Sequence, residues 1–200
     1  GISFDGKLEG GGFPRQRLSR RVPIFQLKVD GIEIPKDIAA SIGLLTVESD
    51  PELASACRIE FEDAQARLID SPLFAAGKGL ELSLGYQDEP VERVFTGEVV
   101  RRETLFRQQG GQTCTIFGFD RRHRLKRTRF SRSFQRMTDS AIVQRIASEE
   151  GLSARVDPTF EVLDYVFQNN ESNWAFLCGR AERIGYELRV SDRELHFSNP

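Results

Sequence analysis

The 200-residue sequence has little of what catalytic sites are usually built from. It holds two histidines, one methionine, one tryptophan and three cysteines. Cys57, Cys114 and Cys178 are far apart, odd in number and form no CxxC pair. That argues against a disulfide framework or a thiolate metal site, and small buried hydrophobes are expected instead. No HExxH, GxSxG or GxxxxGK[ST] pattern occurs. The nearest approach to a phosphate loop, Gly77-Lys78-Gly79, precedes a strand-like run and so lacks the helix N-terminus whose amides would hold phosphate. No apolar run approaches the roughly 20 residues needed to span a bilayer. The opening GISFDGKLEGGG has no apolar signal core, so Sec secretion is not indicated, and Gly1 in place of Met suggests a trimmed start.

Charge of either sign is also nearly absent in sum. Twenty-eight basic against 30 acidic residues leave −2, which gives the whole molecule no reason to seek nucleic acid or an anionic membrane. With 39% hydrophobic and 29% charged residues the composition is that of a globular protein, long enough for one large domain or two small ones. Two constellations remain to be weighed for chemistry. Glu149 and Glu150 are adjacent on an expected helix, about 100° apart in projection, so they do not converge on one atom and read as a solvated surface. Cys114 and His123 are conceivable as a dyad, but nothing nearby orients the imidazole. No catalytic, cofactor-binding or metal-ligating residue is therefore expected.

The hydrophobic pattern has two regimes. Residues 1–21 carry Gly10-Gly11-Gly12, Pro14 and four arginines without a period, and read as a flexible arm. From 22 to about 119 the dominant period is two. Phe25, Leu27 and Val29 alternate with polar residues before Asp30-Gly31, a hairpin signal because both turn positions need positive φ. Cys57-Ile59-Phe61, Leu80-Leu82-Leu84 and the runs around Val91–Phe106 and Thr113–Phe119 behave likewise, with Gly97 at an expected bend or bulge. Such strands call for a barrel-like or sandwich domain. A short helix is expected within Asp63–Phe74. From 131 to 200 the pattern becomes α+β. Thr138 is placed to cap a helix bearing Ile142, Val143, Ile146 and Ala147, stopped at Gly151. A second helix is expected from Asn170–Ser172 to Gly185, with Trp174 and Leu177 as packing anchors in its apolar stripe. Short strands are expected at Leu152–Val156, Glu187–Val190 and Glu194–Phe197.

The strongest local anomaly is basic. Residues 120–136 hold Arg121, Arg122, Arg124, Lys126, Arg127, Arg129, Arg132 and Arg136 against the single acid Asp120. Such a run can track a nucleic-acid backbone, face an acidic partner subunit, or pair with carboxylates of its own chain. Sequence leaves all three open, with nucleic acid the least favoured.

The order of several short blocks goes further. Val94-Phe95-Thr96-Gly97-Glu98-Val99 is followed by Gly118-Phe119-Asp120-Arg121-Arg122-His123-Arg124-Leu125. Then come Phe134-Gln135-Arg136-Met137-Thr138-Asp139-Ser140, Gln168 with Glu171-Ser172-Asn173-Trp174-Ala175-Phe176-Leu177, and Ala181-Glu182-Arg183-Ile184-Gly185. Together these blocks resemble the phage late control protein D and VgrG-type tail-hub family over residues 22–200, with Phe119 where that family usually has Tyr. The resemblance implies a non-enzymatic trimeric hub, adaptor between tail tube and spike, in a phage tail, type VI secretion device or extracellular injection particle. Residues 22–130 would be its first barrel, and 131–200 an α+β segment with a helical insert, opening the second. Chains of that family normally continue through the second barrel and often into a spike. Partners implied are two further copies, a tail tube protein, a spike or tip protein and baseplate proteins. The place implied is assembly in the bacterial cytoplasm and residence in a virion tail or injection particle. On this reading Arg121, Arg122, Arg124, Lys126 and Arg127 are expected at a subunit interface. The alternatives are a nucleic-acid-binding β domain using residues 121–136, or a tail-tube or baseplate barrel that is not the hub.

Overall fold

A computed structural model describes residues 2–3, 23–49, 54–63, 65–107 and 111–200. The arm expected over residues 1–21 lies outside them, apart from the two-residue strand β1 (Ile2–Ser3). The chain is mainly β and divides into two compact units, Gly1–Asp120 and Arg121–Pro200.

The first unit is one antiparallel sheet. Its strands are β1, β2 (Pro23–Val29), β3 (Ile32–Glu33), β4 (Ile42–Glu48), β5 (Ala56–Glu62), β6 (Gly79–Tyr86), β7 (Glu92–Phe106) and β8 (Gln112–Phe119). They lie in the order β1-β4-β5-β8-β7-β6-β2-β3. Asp30 and Gly31 turn β2 into β3 with φ of 49° and 78°, the twin positive values a two-residue hairpin requires. Alternation sets which face is buried: Leu27, Val29, Cys57, Ile59, Phe61, Leu80, Leu82, Phe95 and Ile116 form a single core. Because strands from both halves of the sheet share that core, the sheet curls around it in barrel-like fashion. Its described edges, β1 and β3, are two residues long, and short edges limit stray strand pairing.

Gly97 is needed for space rather than for an unusual φ. A Cβ there would stand 2.7 Å from the Phe95 ring and closer still to the Phe119 carbonyl oxygen. The irregularities in β7 fall on either side of Gly97, between Arg93 and Phe95 against β6 and between Val99 and Arg101 against β8. Among the described residues no α-helix forms in the Asp63–Phe74 stretch where one was expected. The Asp63 carboxylate instead accepts from the amides of Arg67 and Leu68, both at 2.8 Å, and Ala66 takes a positive φ of 56°. Only a 3-10 turn at Pro72–Phe74 follows, begun by Ser71, and it seats Phe74 5.1 Å from Phe61. A separate four-residue helix, α1 (Lys36–Ala39), lies between β3 and β4.

The second unit opens with the five-residue helix α2 (Arg122–Lys126). A two-stranded antiparallel ribbon pairs β9 (Arg129–Met137) with β11 (Leu163–Ser172). A three-stranded sheet has the order β10-β13-β12, from β10 (Ser153–Val156), β12 (Glu187–Ser191) and β13 (Glu194–Ser198). Two helices supply the apolar filling. In α3 (Asp139–Glu149) the Thr138 hydroxyl accepts from the Ala141 amide, and in α4 (Asn173–Ile184) Ser172 does the same for Ala175, each satisfying an amide the first turn leaves over. Ile142, Val143, Ile146, Leu177, Leu195 and Phe197 form the core, with the Phe134 and Phe176 rings stacked 5.4 Å apart. Leu125 of α2 is buried in this core and β9 pairs with β11, so the division between units falls at Asp120/Arg121 and residues 130–134 lie inside a strand.

Candidate functional site

The polar groups that gather most densely lie where α3, α4, β9 and β11 meet. Gln168 and Asn173 are almost completely buried. A buried amide must find partners for each donor and acceptor, and these do. Gln168 Nε2 donates to Asn173 Oδ1 at 3.0 Å and to the Glu171 carbonyl at 3.1 Å. Asn173 Nδ2 donates to Glu150 Oε1 at 2.9 Å. Arg132 closes the cluster, with Nε on Gln168 Oε1 at 2.9 Å, Nη2 on Asn173 Oδ1 at 3.0 Å and Nη1 on Glu149 Oε2 at 2.6 Å. Burial pushes Glu149 up, but the hydrogen bonds and charge of Arg132 and Arg145 outweigh that and hold its carboxyl below the ordinary value.

Glu150 corrects the expectation of a solvated pair. It is buried, and its two oxygens accept from Asn173 and, at 3.3 Å, from Arg127 Nη2. A helix projection places Glu149 and Glu150 on different faces but says nothing of what β9 and β11 lay over them.

The basic residues in and beside α2 are largely engaged within their own unit. Arg121 is 3% exposed and its guanidinium pairs with Asp192. Arg124 Nη1 donates to the carbonyls of Glu150 and Gly151 at 3.0 and 3.2 Å. Lys126 Nζ stands 5.4 Å from the Trp174 ring, a cation–π distance. Arg122 is half-buried and Arg127 exposed. Trp174 packs partly buried at the margin of the core, while Leu177 is fully buried.

The Cys57 thiol is pushed up to about 12 and that of Cys114 is also raised, both by burial, which opposes thiolate formation. Among the described residues no group of three metal-ligating side chains converges, and no helix is long and apolar enough to cross a membrane. A pocket of about 190 Å³ lies beside Asp63 and Glu62, but the Asp63 carboxylate is occupied by backbone amides.

Sequence reasoning missed the ribbon and what it displays. Val166 and Gln168 point inward while Tyr165 and Phe167 are exposed, their rings stacked 6.4 Å apart. The alternation in LDYVFQ, with Leu163, Tyr165 and Phe167 on one side and Asp164, Val166 and Gln168 on the other, was the available signal, and it pointed to the face that the fold leaves outward.

Comparison with known proteins bears on the whole arrangement. The family model described as the Alg8 N-terminal domain matches residues 19–200. The chain belongs to the Alg8 N-terminal domain family. Among curated proteins none matches significantly. Solved structures share the fold of this Alg8 N-terminal domain at low identity. The 43 kDa tail protein of prophage MuSo2 from Shewanella oneidensis is 18% identical with a TM-score of 0.63, over 88% of this chain and 53% of that one. A tail protein from Neisseria meningitidis is 15% identical with a TM-score of 0.57, over 88% and 50%. The E. coli c3393 protein, a type VI secretion component similar to the phage T4 tail proteins gp27 and gp5, is 15% identical with a TM-score of 0.55, over 87% and 49%. The chain thus spans about half the length of these relatives.

Proposed function

We propose that this chain is a structural, non-enzymatic part of a contractile tail or injection machine: the hub of the late control protein D and VgrG type, between tail tube and spike. The observation that carries the reading is the shared fold across both units, over 88% of the chain, with a prophage tail protein. The order of the sequence blocks supports it, because the block residues occupy structural positions. Gly97 allows the close approach of β7 to Phe119, Thr138 caps α3, and Gln168 and Asn173 wire the ribbon to the helices.

In this reading the first unit is one barrel of a hub ring and the second unit opens the next. Three copies form the ring, which meets a tail tube protein on one side and a spike or tip protein on the other, with baseplate proteins around it. Arg127, the exposed cation that follows α2, faces a neighbouring subunit together with the half-buried Arg122. Arg121, Arg124 and Lys126 hold the local geometry from which they project. Assembly takes place in the bacterial cytoplasm, before the particle is complete.

The test is co-purification of the chain with its tail tube protein, with and without Arg122→Glu and Arg127→Glu. Stoichiometric capture that the double variant weakens supports the reading. A chain that ignores the tube protein, or that turns over cell-wall polymer, contradicts it.

A further inference from the structure

The β9/β11 ribbon carries an exposed apolar face, and charges at Arg136, Glu161 and Asp164, that its own unit does not use. Strand β9 contains Arg129, Arg132 and Arg136 and no acid. From Asp157 through Ser172 the chain holds Asp157, Glu161, Asp164 and Glu171 and no base. Among the described residues Arg136, Glu161 and Asp164 form no ion pair, and no further strand pairs with either outer edge of the ribbon. Phe160 is 88% exposed, Val162 and Tyr165 61% each and Phe167 48%, all within one eight-residue stretch. Two unpaired edges beside exposed aromatics are a liability unless something covers them.

We propose that a second copy of this chain covers them: β11 of one copy adds to the open edge of β9 of the next. The two strands run antiparallel within a copy, so stacking copies in the same sense continues an antiparallel sheet. Each junction then sets a basic strand against an acidic one, Arg136 toward the neighbouring Asp164, and shields Tyr165 and Phe167 from water. The contact is head-to-tail, the kind that closes into a ring when the rotation permits. Opposite charges on the two edges also disfavour β9 meeting β9 or β11 meeting β11. For a ring size of three the inference rests on the hub reading above.

The experiment is light scattering on a sizing column with the full chain across concentration, joined to backbone hydrogen exchange. Association is expected to protect amides in 129–137 and 163–172. Phe167→Arg raises the apparent Kd about thirtyfold, as expected of an interface aromatic. Arg129→Glu with Arg136→Glu weakens association, and so does Glu161→Lys with Asp164→Lys. Combining all four restores it, while circular dichroism of each double variant matches the wild type and so separates lost contact from lost folding. A chain that stays monomeric throughout, or one that binds an added peptide strand but never itself, overturns the self-pairing. A trimer indifferent to every ribbon variant overturns the ribbon contact while leaving the hub reading in place.

Discussion

Arg180 of α4 grips Asp139 of α3 with two parallel hydrogen bonds, Nε to Oδ1 at 2.5 Å and Nη2 to Oδ2 at 2.9 Å, and both side chains are less than a tenth exposed. Asp139 also sits in the first turn of α3, where the helix dipole favours a negative charge. Removing one member of a buried pair strands the other. Asp139→Ala is therefore expected to cost about 3–5 kcal/mol, and replacing both residues by apolar ones to cost less than either single change. A double-mutant cycle in urea checks this, and additive losses would show that the pair does not act as a unit.

Gly97→Ala is expected to destabilise the first unit by about 1–3 kcal/mol, the usual penalty of overpacking. The new methyl must displace either the Phe119 carbonyl or the Phe95 ring. Thermal melting of the variant measures the loss. An unchanged midpoint would mean that β7 and β8 separate at no cost.

Glu149 makes stability depend on acid. Its pKa in the fold lies below the ordinary value, so the stability it contributes is present above the unfolded value of about 4.5 and is lost as pH falls through the folded one. Glu149→Gln should flatten the acid limb of a stability–pH curve below about pH 4.5. If the wild type and the variant fall in parallel, the Arg132 and Arg145 contacts do not form in solution.

The three thiols should differ in reactivity. Cys57 and Cys114 are buried and their raised pKa values disfavour the thiolate, so alkylation at neutral pH should wait for unfolding. Cys178 is half-buried, and although burial raises its thiol as well, it should label first. Mass spectrometry after a timed exposure to iodoacetamide reads the order directly. Rapid labelling of Cys57 would show that the first core opens readily.

Much of this fold was legible because it rests on local rules. Period-two alternation marked β2, β5, β6 and β8, Asp30-Gly31 marked the first hairpin, and Thr138 and Ser172 stood where caps were needed. The ribbon was hidden for a different reason. Its partners are separated by α3 and β10, and β9 alternates arginine with serine and phenylalanine, a pattern without an apolar face until β11 is laid beside it. Glu150, Gln168 and Asn173 likewise look like surface residues in sequence, and become a buried cluster only when Arg132 arrives from β9. The helix foreseen near Asp63 failed because one carboxylate captured two backbone amides that a helix would have needed. The basic run was visible at once, but that Arg121 turns inward to Asp192 depends on a residue 71 positions away.

The most direct measurement is electron microscopy of tail or injection particles purified from the producing bacterium, with this chain carrying a gold-labelled tag. The hub reading requires label confined to one end of each tail tube, where the spike attaches, and requires that deleting the chain leave no complete particles. Intact particles without label, or label spread along the tube, would contradict it.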